Sequence, residues 1–109
     1  MYRLRFFFDH GSGVCLWTAG EAARERFGGY PVALGALPLP PATVREGEDL
    51  LTRYDTSLDR DDPAGPSPWT DAEFAAFHAD ARAFLARLRR ELGPAFEVVD
   101  ERGDRHPPG

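Results

Sequence analysis

The chain has 109 residues, 42% of them hydrophobic and 28% charged, the size and balance of one globular domain, which excludes a wholly disordered polymer. Its net charge of −5 excludes the clustered-cation chemistry by which proteins bind phosphate backbones, so no nucleic-acid partner is expected and an acidic face would suit a basic protein. Nothing approaches the ~18 consecutive apolar residues of a membrane span. Residues 2–8, "YRLRFFF", alternate Tyr2, Leu4, Phe6 and Phe8 against Arg3, Arg5 and Phe7 and read as a strand with one apolar face. "DHGSG" supplies a Gly-rich turn, and "VCLWTA" at 14–19 is its partner strand, making a hairpin. "GEAARERFGG" at 20–29 places Ala22, Ala23 and Phe27 at helical spacing and stops on a Gly pair.

Residues 30–41, "YPVALGALPLPP", are broken by Pro and Gly and read as irregular, with a short extended piece at Val32 to Leu34. From Pro41 the pattern is helical: Val44, Gly47, Leu51 and Tyr54 share a stripe, and Gly47 on it predicts close approach of a neighbouring backbone. Thr70 with Glu73 forms a capping box for the next helix, because each side chain can satisfy the other residue's backbone N–H. Trp69 and Phe74 flank that box as a hydrophobic staple. Phe74, Phe77, Ala81, Phe84, Leu85, Leu88 and Leu92 then form one stripe that ends at Gly93 and Pro94. "AFEVVDE" at 95–101 is a last strand.

These elements predict an α+β fold: a small antiparallel sheet, made of the N-terminal hairpin plus the C-terminal strand, with two longer helices packed on one face. Residues 1–101 are expected to form a single domain and 102–109 a flexible tail containing His106 and a chance Arg-Gly-Asp triplet. All thirteen basic side chains are Arg, and Lys, Ile and Asn, which have AT-rich codons, are missing; this points to a GC-rich bacterial genome. One cysteine, Cys15, cannot form an internal disulfide, and the N-terminus is too poor in apolar residues for a signal peptide, so the expected compartment is the cytoplasm.

Within the stretch "YDTSLDRDDPAGPSPWT" at 54–70, residues 56–69 connect the two helices and form a connection longer than most in compact domains. Pro63, Pro66 and Pro68 stiffen it, Leu58 and Trp69 can pin its ends, and Asp55, Asp59, Asp61 and Asp62 give it charge. A calcium loop counted from Asp55 fails, since Arg60 stands where Gly is needed and Pro66 where Glu is needed. No metal site or cofactor is therefore expected. Cys15 with His10 could pair thiol and imidazole across the hairpin turn, but a lone Cys between Val14 and Leu16 reads as a small buried hydrophobe. His78 borders the long apolar stripe. No phosphate loop, nucleophile elbow or zinc motif occurs, so no catalytic residue is assigned.

The segment at 54–70, with "LRRELGPAFEVVDE" after it and "GVCLW", "RFG" and "LPLP" before it, resembles a family of short bacterial proteins of uncharacterised function. The resemblance covers residues 1–101 and brings no catalytic residues with it; where that family has an aromatic after Ser-Leu-Asp, this chain has Arg60. By size and charge alone the chain is also similar to immunity proteins that neutralise bacterial toxins. The leading reading is a non-enzymatic protein-binding module, immunity- or inhibitor-like, that uses Asp55, Asp59, Arg60, Asp61 and Asp62 to meet a basic protein. The alternative is a small enzyme or ligand-binding domain with a pocket between sheet and helices, using Cys15, His10 or His78. A third reading is self-association through Phe7 or the outer strand edge.

Overall fold

The computed structural model of the chain describes residues 1–102, so the expected tail from residue 103 onward, with His106 and the last two residues of the Arg-Gly-Asp triplet, lies outside the described residues, whereas Arg102, placed in that tail by the sequence, is buried. Seven regular elements follow one another: β1 (Tyr2–Phe6), β2 (Leu16–Ala19), α1 (Glu21–Phe27), β3 (Pro31–Val32), α2 (Pro41–Asp55), α3 (Asp71–Leu92) and β4 (Phe96–Asp100). The α+β expectation holds, with one extra short strand. The sheet runs β3-β2-β1-β4 and is mostly antiparallel, but β4 pairs parallel to β1, with Tyr2 opposite Phe96 and Leu4 opposite Val98. The reason lies in α3: its 22 residues span roughly 33 Å and return the chain to the end of the sheet where β1 begins.

Strand alternation sends Leu4 and Phe6, with Leu16 and Val98 beside them, to the helix side, where none is more than 4% exposed. Phe77, Phe84, Leu85 and Leu88 of α3 and Leu50 and Leu51 of α2 close over them in one core. Burying a Phe of this kind contributes about 1.5–3 kcal/mol, so these side chains outweigh any local propensity. Gly47 sits in that core. The close neighbours prove to be side chains rather than the backbone expected: a methyl at Gly47 would meet Leu34 Cδ1 and lie 2.7 Å from Phe84 Cζ. The extended piece expected at Val32 to Leu34 is shorter, because residues 34–36 turn into a 3-10 helix that points Leu34 inward.

Helix ends follow their side-chain chemistry. Pro41 opens α2 at the position where a missing N–H costs nothing. Thr70 and Glu73 make the full capping box at α3, at 3.1 and 3.0 Å, and Trp69 meets Phe74 with ring centroids 5.1 Å apart, so the predicted staple is in place. Gly93 ends α3 at φ 73°, a conformation that favours glycine. The two long helices are also joined by charge: Arg87 of α3 donates to Glu46 of α2 at 2.5 Å and to Glu91 at 3.2 Å. The buried hydroxyl of Thr43 donates to Glu91 at 2.6 Å.

The other face of the sheet carries Arg3, Arg5, Phe7 and Trp17. Arg3 pairs with Glu97 and Arg5 with Glu101, each cation on β1 reaching an acid on or just past β4. Phe7 stacks on Trp17 with centroids 4.9 Å apart, and Tyr30 closes the far side at 5.0 Å. Trp17 is only 7% exposed although it stands apart from the main core, and its indole N–H donates to the Phe7 carbonyl at 3.1 Å. Phe7, which the self-association reading left available for contact, is half-buried against this indole.

Candidate functional site

The connection between α2 and α3 is tied down at both ends. The Ser67 hydroxyl donates to the Ser57 carbonyl, and the Trp69 N–H donates back to Ser67 Oγ at 3.1 Å, so residues 57 and 67 are clasped together. The Trp69 indole N–H reaches Thr56 Oγ1 at 2.9 Å, and its ring lies 5.3 Å from Phe77. Leu58 is half-buried. The side chain of Ser57 itself is buried and bonds His10 Nε2 at 2.8 Å, while the His10 ring stacks on Tyr54 at 4.4 Å. The β1–β2 turn and the helix connection thus form one surface.

The five residues expected to meet a partner are brought to this end of the molecule, but they do different things there. Asp55 accepts the Gly11 N–H at 3.0 Å and locks the turn to the end of α2. Asp59 folds inward, its Oδ1 accepting the N–H groups of Asp61 and Asp62 at 3.0 and 3.3 Å, the geometry of a turn stabilised by its own side chain. Asp61, Asp62 and Arg60 are exposed. A cleft of about 260 Å³ lies beneath, lined by His10, Gly11, Asp55, Leu58 and Arg60. A larger cleft of about 440 Å³ runs along the outer side of the helix pair, where Arg53 is held by Asp80 at 2.7 Å.

The residues weighed for catalysis have separate surroundings. Cys15 is fully buried, and that burial pushes its thiol up to about 12, far from the thiolate that attack requires. His10 is engaged by Ser57 and Tyr54. His78, half-buried on α3, accepts at Nδ1 from Arg102 at 3.0 Å. Arg102 is itself buried, bonded to Asp100 at 2.9 Å and lying over the Phe6 ring. The volume between sheet and helices, where a pocket was the alternative expectation, is occupied by Phe6, Phe77 and Phe84. Among the described residues no group of three or more His, Cys, Asp or Glu is placed to hold a metal ion, and no helix is long and apolar enough to cross a membrane.

Sequence reasoning missed four contributors. Ser57 and Ser67 close the connection, and a serine pair ten apart has no periodic signature. Gly11 couples the turn to Asp55, a contact between segments 44 residues apart. Trp17 was legible as a strand residue, yet its place on the open face follows only once Phe7 and Tyr30 are seen to cover it.

Residues 3–100 match the family described as Serratia CdiI immunity protein-like. The chain belongs to that family. The match runs through every element from β1 to β4, so it covers the sheet, the helix pair and the clasped connection together. No curated protein matches the chain. Membership in an immunity-protein-like family fits a protein-binding, inhibitor-type role and a toxin as the kind of protein bound.

Proposed function

We propose that this chain is a bacterial immunity protein that neutralises a toxin by binding a basic surface of it through the end of the molecule built from residues 55–62 and the β1–β2 turn. The observation that carries the reading is the clasped connection. Residues 57 and 67 are bonded, Trp69 is seated on Phe77, and Asp61 and Asp62 stand exposed between those ties. A segment already fixed in shape loses less conformational freedom on binding than a floppy one. Asp61 and Asp62 are the direct contacts, with Arg60 beside them. Asp59 and Asp55 act by shaping the surface, since their carboxylates hold backbone N–H groups. The net charge of −5 adds long-range attraction for a cationic partner. Binding takes place in the cytoplasm, where a lone buried cysteine remains reduced.

The test is the association rate with the toxin that this chain suppresses. Asp61→Arg with Asp62→Arg is expected to slow association at least tenfold and to flatten its dependence on salt, while thermal stability stays the same. A complex that forms at the wild-type rate with the reversed charges overturns the reading.

A further inference from the structure

We propose that Arg89 closes the β4 edge of the sheet, the longer of its two edges among the described residues, and so prevents this chain from pairing through β4 with a second copy of itself. β4 is the terminal strand in the order β3-β2-β1-β4. The Glu101 N–H donates to the Phe6 carbonyl at 3.0 Å, so by alternation the backbone groups of residues 97, 99 and 101 face β1 and those of Phe96, Val98 and Asp100 face outward. Such a row is a ready template for another strand. Its sequence, FEVVD, with two adjacent Val and an aromatic, is well suited to pairing.

A two-fold copy would set Val98 against Val98 of its mate, with Phe96 opposite Asp100. In an antiparallel ladder the two central residues would exchange a pair of N–H···O bonds. Arg89 occupies the acceptor that this exchange needs. From α3 its Nε and Nη2 both donate to the Val98 carbonyl, at 3.1 and 2.7 Å. The planar guanidinium places two donors on one oxygen, which a Lys side chain cannot reproduce. The opposite edge needs no such cover: β3 is two residues long and begins with Pro31, which has no N–H to offer.

The experiment compares the wild type with Arg89→Met, Arg89→Lys and Arg90→Met by sedimentation velocity over a hundredfold concentration range, with circular dichroism as the check on folding. Arg89→Met keeps the aliphatic stem and removes both donors. It is expected to self-associate at least tenfold more strongly than the wild type, with exchange of the Val98 amide slowing as concentration rises. Arg90→Met removes the same charge one position away and is expected to match the wild type. A folded Arg89→Met with the wild-type mass at every concentration overturns the proposal, and so does association that leaves Val98 exchange unchanged. Should Arg89→Met not fold, Arg89→Lys decides in the same assay: self-association stronger than that of the wild type supports the proposal, and wild-type behaviour overturns it.

Discussion

Two sets of carboxylates in this molecule are put to opposite uses. Between α2 and α3, Glu46 and Glu91 converge on Arg87, and Glu91 also receives the hydroxyl of the buried Thr43. In the connection below them, Asp55 and Asp59 hold backbone N–H groups while Asp61 and Asp62 face water. The difference teaches that carboxyl count says little about where an acidic protein meets its partner. What matters is which carboxylates the fold has already engaged, because an engaged oxygen must give up a bond before it can make another. The helix clamp belongs to stability, and on the proposed function the exposed pair serves recognition.

Phe77 is where the two regions meet, and replacing it is the strongest way to break the contrast. Its ring touches Phe8 in the core at 5.0 Å, Tyr54 at the end of α2 at 5.4 Å and Trp69 at 5.3 Å. It is wholly buried. Phe77→Ala should cost about 3–5 kcal/mol, the usual range for emptying a buried aromatic position, as read from urea unfolding. Trp69 should become more exposed in the same variant, as a red shift of its emission in the folded state. A large stability loss without that shift would mean that the connection is held independently of the core.

The clamp can be isolated through pH. The Glu91 carboxyl lies below the usual carboxylate range, first because of the Thr43 hydroxyl and then because of Arg87. A carboxylate with a lowered pKa in the folded state stabilises the fold above its unfolded value of about 4.3, and that contribution disappears as pH falls through the folded value. Thr43→Val removes the first cause. It should lower the urea midpoint at neutral pH and make the decline below pH ~4 shallower, measured as urea midpoints across pH. An unchanged acid limb would assign the lowering to the Arg87 cluster alone.

Local physics explains which parts of this molecule can be read from the chain. The capping box at Thr70 and Glu73, the staple at Trp69 and Phe74 and the stripe from Phe77 to Leu92 each depend on residues within a few positions of one another, and all three stand as expected. The direction of β4 was not legible in the same way, because it is set by where a 22-residue helix delivers the chain and not by the strand's own residues. Gly47 marked a close approach, but whether backbone or side chain fills the space depends on Leu34 and Phe84, which arrive from distant segments. The carboxylates of residues 54–70 were visible as composition. Their division into engaged and exposed was not, since Asp55 finds its donor at Gly11 across the fold.

The smallest effect distinguishes what keeps the connection in shape. Pro63, Pro66 and Pro68 restrict its backbone, but a proline constrains only its own φ and its predecessor and ties nothing to the core. Ser67 does make such a tie, through the Ser57 carbonyl on one side and the Trp69 N–H on the other. Ser67→Ala should therefore cost only about 1 kcal/mol in global unfolding, yet amide exchange in residues 59–65 should accelerate well beyond what that loss accounts for. Exchange that keeps pace with global stability would place the rigidity in the prolines and in the Asp59 turn, and the surface presenting Asp61 and Asp62 would then be ordered from within, without the clasp.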